Sequence, residues 1–283
     1  MNVGIVLAGG MAKGAYQIGA LKAIAEFLPR DEIKYMSCSS VGVLNGYAFA
    51  TDNLEAAERM WRNVCGENNR VMITKMLRSA TLQQDIKNIY DPEKTLPCVC
   101  YCSLLDLNHR NLIYQDLSTV ESELIPLYLK ASVAMPVYNR AVQIGDVSYF
   151  DGAMIDNIPV YPLLKHTLDY IICIYFDDTC YKFESTYVDN KIIKITFPCD
   201  SIVKESLIFK PEWVERMLRD GYDRTKELLE PVFAKGHDNL DHIYQVIERR
   251  NQEKENNSLR VTGDMLTTNL NKITQKLTKK KIL

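Results

Sequence analysis

A chain of 283 residues, 47% hydrophobic and 25% charged, has the composition of an ordinary globular protein and is long enough to bury a sizeable core without disulfides. Its formal net charge of -2 argues against a dedicated nucleic-acid binder, and no apolar run reaches the length of a membrane span. The eight cysteines read as buried, reduced thiols of a cytoplasmic protein; Cys98, Cys100 and Cys102 alternate onto one side of a strand, and no second Cys/His cluster completes a metal site.

In chain order, MNVGIVLAGG lacks the basic start of a leader peptide and reads as a buried strand, Val3 to Leu7, running into a turn at Gly9 and Gly10. From Gly14 the apolar spacing becomes helical, with Ile18, Leu21, Ile24 and Leu28 on one face, until Pro29 stops it. A second strand from Ile33 and a second helix to about Thr51 follow. This alternation predicts parallel strands joined by right-handed crossovers. Asn53 to Val64 is a helix with Asn53 as its cap. Residues 66–96 are polar and mixed, with a stripe at Leu82, Ile86, Ile89 and Tyr90; they read as a surface helix pair or as a lid or substrate-binding insertion. Val99 to Leu105 and Asn111 to Leu117 are strands, Glu121 to Ala134 a helix, Ala141 to Phe150 a strand pair, and Val160 to His166 a helix. Two further strands, Tyr170 to Phe176 and Lys191 to Phe197, complete the sheet. Trp213 to Ala234 and Asp238 to Arg250 are helices.

The expected organisation is one catalytic domain over 1–250, a polar linker over 251–258 and a basic amphipathic helix over 259–283. In that last segment Leu266, Leu270, Ile273 and Leu277 share a face, and Lys272, Lys276 and Lys279 lie on another. Such a helix suits peripheral contact with an anionic membrane; it equally suits docking on the core or on a second copy of the chain.

Chemistry concentrates at Ile33 to Gly46, where the run Ser37-Cys38-Ser39-Ser40-Val41-Gly42 joins a strand to a helix through small residues only. Small residues permit the sharp turn that projects one side chain above a helix N-terminus, the mechanical content of a G-x-S-x-G nucleophile elbow. Ser40 is the central residue, Gly42 the second glycine, and Cys38 stands where the first would be. By itself the stretch also reads as a serine-rich loop with Ser40 as an N-cap. An acyl transfer at Ser40 needs a base and donors for an oxyanion. The first turn, Leu7 to Gly14, supplies backbone N–H groups near a helix N-terminus. Its glycine spacing fits neither a dinucleotide loop nor a P-loop. The four histidines, His109, His166, His237 and His242, sit in turns, helix ends or polar segments with no motif around them. Asp151, at a strand end before Gly152-Ala153, is a carboxylate able to take the serine proton directly, although Asp151-Gly152 alone reads as a turn.

Three segments together resemble the patatin-like phospholipases: LAGGMAKGAYQIGAL, SCSSVGVLNG and YFDGAMIDNIPV, in the family's order and spacing. The resemblance spans about Val3 to Phe176, with a weaker echo in FKPEWVERMLRDGYD. It implies a three-layer α/β/α fold with a central, mainly parallel sheet, and hydrolysis of phospholipid or lysophospholipid esters by a Ser-Asp dyad. On this chain it makes Ser40 the nucleophile and Asp151 the base. Gly9, Gly10 and Met11 become the oxyanion loop, and Lys13, Gly14, Cys38, Gly42 and Gly152 support it. It implies no cofactor and no metal, and a lipid ester as the bound partner. Two other readings stay open: an acyltransferase or thioesterase on the same dyad, which requires a second acceptor site, and a catalytically impaired lipid-binding or regulatory homologue, supported by two departures from the pattern, Met11 for a third glycine and Cys38 for the first elbow glycine. Met11 in particular makes a positive φ costly at that position.

Overall fold

Strand β1 (Val3–Leu7) is buried along its whole length and sits at the middle of the sheet, as its unbroken apolar sequence requires of a strand covered on both faces. The computed structural model describes residues 1–64, 71–72, 80–136, 138–176, 185–197 and 208–254. Within them β1 pairs in parallel with β2 (Ile33–Cys38) on one side and β8 (Tyr170–Tyr175) on the other. Strand β2 pairs in parallel with β4 (Val99–Asp106), and β8 with β9 (Ile192–Thr196). Three antiparallel strands complete the eight-stranded sheet: β5 (Asn111–Asp116), β6 (Val142–Ile144) and β7 (Val147–Asp151). A separate short ladder joins β3 (Val71–Met72) to β10 (Ile208–Phe209). The fold is therefore mixed α/β around a mainly parallel sheet flanked by helices.

The two faces of the sheet carry unequal layers. Val3, Ile5 and Leu7 point into the larger core, under α1 (Gly14–Phe27), α2 (Val41–Ala50) and α3 (Leu54–Asn63). Val6 and Ala8 point the other way, into a smaller cluster sealed by Val160, Leu163 and Leu168. The segment expected to be a helix over Val160 to His166 is a 3₁₀ helix, Tyr161–Lys165, with Pro162 in its first turn. Its tighter winding keeps this layer thin.

Helix α4 (Ala80–Ile89) carries the stripe Leu82, Ile86 and Ile89 into the main core, so this part of the 66–96 region belongs to the body of the domain. Asn53 stands at the start of α3, yet its side chain makes no cap there. It donates instead to the carbonyls of Asn88 and Ile89 at 3.2 and 3.0 Å, satisfying the open end of α4. Helix α5 (Ile125–Ala131) is shorter than the expected Glu121 to Ala134 because a 3₁₀ turn, Ser122–Leu124, precedes it.

Helix α6 (Thr186–Asp189) is a single turn beside β9. Helix α7 (Pro211–Val232) begins with proline in its first turn and buries Val214, Met217, Leu218 and Leu229 against α1. The two helices touch backbone to backbone: a Cβ on Gly19 would stand 2.0 Å from the Leu218 carbonyl oxygen, and one on Gly221 2.2 Å from that of Tyr16. The last described helix, α8 (240–254), runs through 251–254, which the sequence assigns to a linker. Asn251 holds it there by donating to the Asn190 side chain at 3.1 Å, beside the buried Lys194–Asp189 ion pair. The rest of that linker and the basic segment over 259–283 lie outside the described residues.

Strand β4 meets two strands on one edge. Its first half pairs with β2, Cys102 opposite Cys38, and its second half with β7, Leu104 opposite Asp151. The end of β2 and the end of β7 are thereby brought together.

Candidate active site

The elbow at Ser40 follows from that arrangement. Strand β2 stops at Cys38, the Ser39 N–H donates to the Leu7 carbonyl at 3.0 Å, and helix α2 begins at Val41. Between them Ser40 has φ 54 and ψ -132, a backbone conformation that costs on the order of 1–3 kcal/mol for a non-glycine residue. The surrounding bonds hold it: the N–H groups of Gly42 and Val43 donate to Ser39 and Ser40 carbonyls, each at 2.9 Å. Gly42 is required by close approach, since a Cβ there would meet the Leu7 carbonyl oxygen at 2.6 Å. Cys38 fits where a glycine is usual because its Sγ occupies the space left by Gly46 on α2; a Cβ on Gly46 would stand 2.6 Å from that sulfur.

Asp151 ends β7, accepts the Ala153 N–H at 2.9 Å, and is 2% exposed beside Ser40, which is 7% exposed. Burial pushes the Asp151 carboxyl up to about 7. Hydrogen bonds donated by the Ser40 hydroxyl and the Ala153 N–H act in the opposite direction without overcoming it. The next residue, Gly152, lies on β4, where a Cβ would meet the Ser103 carbonyl carbon at 2.6 Å. Serine and carboxyl thus share a dry, hydrogen-bonded pocket.

The first turn arches over the same point. A Cβ on Gly9 would stand 3.0 Å from the Ser40 Cβ and 3.2 Å from the Ala153 Cβ, so a larger residue would press on the serine. The Gly9 N–H donates to the Asn157 carbonyl at 3.1 Å, so of the three N–H groups expected to face an oxyanion, those of Gly9, Gly10 and Met11, the first is already engaged. Met11 has φ 50, so the backbone takes the shape a glycine would give it despite the side chain. Lys13 is 4% exposed, lies over the Phe176 ring at 5.2 Å and reaches the Phe176 carbonyl at 3.4 Å. Gly14 presses on the Trp61 ring.

Sequence reasoning missed the residues that hold these parts together. Asn157 Nδ2 donates to the Gly9 carbonyl at 3.1 Å, reciprocating the bond from Gly9. The Gln17 side chain donates to the Ala8 carbonyl at 2.7 Å, and Asn45 donates to Gln17 and to the Gly14 carbonyl. Trp61 closes this buried network by donating to Asn45 at 2.9 Å. On the far side Ser103 donates to Ser39 at 2.7 Å, and Ser39 to the Asp156 carbonyl at 3.1 Å. The motif NIPV after Asp151 contains Asn157, but nothing in its spacing says that it reaches Gly9.

The histidines are all occupied elsewhere. His109 contacts Asp106, His166 is stacked on Tyr35 and bonded to Tyr101, His237 meets Glu32, and His242 meets the Pro231 carbonyl. Among the described residues, no group of three His, Cys, Asp or Glu is arranged to hold a metal ion, and no helix is long and apolar enough to cross a membrane.

Compared with known proteins, residues 5–164 match a family model described as patatin-like phospholipase. No curated protein sequence matches the chain. Among solved structures it is similar to VipD from Legionella pneumophila, at 13% identity over 85% of this chain and 71% of that one, with a TM-score of 0.47. It is also similar to the type III effector protein ExoU, at 13% identity over 93% of this chain and 62% of that one, with a TM-score of 0.44.

Proposed function

The chain belongs to the patatin-like phospholipase family, and we propose that it hydrolyses carboxylic ester bonds of phospholipids or lysophospholipids with Ser40 as nucleophile and Asp151 as its base. The observation that carries this reading is the strained, buried Ser40 beside a carboxyl whose burial raises it to about 7. A carboxylate at its ordinary value is a weak base for a serine; one held near neutrality accepts a proton far more readily and still ionises at physiological pH.

In this scheme the Ser40 Oγ attacks the ester carbonyl carbon while its proton passes to Asp151. The developing oxyanion is met by the N–H groups of Gly10 and Met11. Collapse of the tetrahedral intermediate breaks the ester C–O bond, and Asp151 returns its proton to the departing alcohol. Water then attacks the acyl-enzyme, giving a proton to Asp151; collapse of this second intermediate breaks the bond from the acyl carbon to Ser40 Oγ, Asp151 returns the proton to Oγ, and the fatty acid leaves. The neutral Gly10–Met11 donors stabilise charge only where it forms, which is the economical use of a dry site.

Met11 and Cys38, the two departures from the family pattern, support activity rather than its loss. Met11 keeps the positive φ of the loop and Cys38 fits against Gly46, so neither disturbs Ser40. The test is labelling with a fluorophosphonate and peptide mapping, alongside turnover of a medium-chain nitrophenyl ester and of labelled phospholipid. Label on Ser40 and release of free fatty acid without an added alcohol acceptor are expected. Label on another serine, or no ester turned over, removes this reading; transfer to an added acceptor in place of hydrolysis would favour an acyltransferase.

A further inference from the structure

Large apolar side chains left in water by the described residues are few, and most fall on one surface that starts at the catalytic loop. Met154 and Ile155, each 60% exposed, follow directly on Asp151-Gly152-Ala153. Tyr161 is 59% exposed and Leu164 47%, and Tyr187 is the most exposed at 72%. Tyr114 links the first pair to the second: its hydroxyl donates to Asp156 at 2.6 Å, and its ring tilts against Tyr161 with centroids 6.3 Å apart. Leu164 and Tyr187 line one cleft of about 280 Å³ together with Lys191. The surface is a continuous ridge running from the site down the thin face of the sheet.

We propose that this ridge seats the protein on an anionic lipid surface, with the Ser40 site at the edge of the contact; the inference rests on the lipid-hydrolase reading above. Folding does not demand the ridge. In the 3₁₀ helix Tyr161–Lys165 the inward side chain is Leu163, fully buried against the sheet, while Tyr161 and Leu164 are three apart and eclipse one another on the outer side. One side of that short helix seals the core and the other is apolar in water, a pattern that marks an interaction surface. The choice of a lipid occupant comes from charge. Both exposed tyrosines of the ridge carry a lysine over the ring, Lys165 at 5.1 Å from the Tyr161 centroid and Lys191 at 4.8 Å from that of Tyr187. A ring with an apolar body and polar tip, beside an ammonium group, matches the level of a bilayer where acyl chains meet anionic headgroups. A protein partner would satisfy the apolar side chains as well, but it would not by itself explain two cations placed against them, nor the ridge's start beside the reacting groups.

The test compares the full chain with two variants, Ile155→Ser/Tyr161→Ser/Tyr187→Ser and Lys165→Glu/Lys191→Glu. Co-sedimentation uses phosphatidylcholine vesicles with and without phosphatidylglycerol, and turnover of a monomeric short-chain ester is measured in parallel. The full chain is expected to bind the anionic vesicles, and each variant to lose at least about tenfold in vesicle affinity, the lysine variant only where phosphatidylglycerol is present. Turnover of the soluble ester should be unchanged in both, which shows that the variants fold. Vesicle binding equal to that of the full chain in either variant overturns the proposal. So does a change of oligomeric state in place of vesicle binding, which would assign the ridge to a second copy of the chain. Vesicle binding through the ridge by a full chain that turns over no ester would sink the hydrolase reading and leave the docking surface standing.

Discussion

Asn157 and Gly9 exchange two hydrogen bonds, backbone N–H of Gly9 to the Asn157 carbonyl and Asn157 Nδ2 to the Gly9 carbonyl, both at 3.1 Å. The turn that carries Gly9, Gly10 and Met11 is thereby pinned to the loop that follows Asp151. Asn157→Ala removes one of the two bonds without touching Ser40 or Asp151. The expected result is a fall in kcat of about 10- to 100-fold, as donors misplaced by a fraction of an ångström produce, with KM for a short ester little altered. The acid limb of the pH profile should stay where it is, since Asn157 is not among the groups acting on Asp151. Wild-type kcat in the variant would show that the loop holds its shape without the clamp.

Asp151→Asn should abolish ester turnover and stabilise the fold above neutrality. A carboxyl raised from 3.8 to about 7 in the native state keeps a proton that the unfolded chain has already released. Stability therefore falls as pH rises through the window from about 4 to about 7, and the deficit is fully present above it. The interval between those two values corresponds to about 4 kcal/mol. The asparagine variant should melt higher than the wild type near pH ~8, with the gap closing toward pH ~4. In the wild type, kcat/KM should rise with pH and level off above about 7. Identical melting curves at both pH values would mean that the carboxyl is not held up by burial.

Ser40→Ala should lose at least about 10³ in rate. Ser40→Gly should be equally inactive but more stable than Ser40→Ala, because only glycine relaxes at φ 54 and ψ -132. The expected difference is about 1 kcal/mol in denaturant unfolding. An alanine variant as stable as the glycine one would remove the strain from the account.

Met11→Gly tests the oxyanion loop in the opposite sense. The native φ of 50 disfavours methionine by about 1–2 kcal/mol, while glycine costs about 0.5–1 kcal/mol in the unfolded chain. A net gain in stability of up to about 1 kcal/mol with activity retained is expected. Loss of activity would mean that the Met11 side chain itself serves substrate.

Each histidine replaced singly by alanine should leave ester turnover intact, since all four are bonded or stacked away from Ser40. A single histidine variant that is folded and inactive would replace the dyad by a triad.

Patterns confined to one element were legible in the sequence: the apolar run of β1, the small-residue turn at Ser40, the stripe of α4. Contacts between elements were not. Asp151-Gly152 reads as a turn until the resemblance assigns it, because the pairing of Leu104 with Asp151 joins residues far apart in the chain. The Gln17–Asn45–Trp61 network is invisible for the same reason: each residue is an ordinary helix position until three helices meet. Asn53 matches a cap by position, yet it serves the neighbouring helix. Val160 to His166 has helix-like spacing, but Pro162 and the narrow gap over β1 select the tighter 3₁₀ winding.

Strand β4 carries a last consequence. The partners of Cys102 and Leu104 are Cys38, two residues before Ser40, and Asp151, so one short stretch of β4 sets where the two side chains stand. The described residues between β4 and β7 come back to the same strand: β5 pairs along it, and the Ala134 carbonyl accepts the Asp151 N–H at 2.8 Å. That support adds to the register and does not replace it. A one-residue slip within β4 would separate the pair outright. The mutual placement of Ser40 and Asp151 is thus held by the register of a strand that carries neither of them.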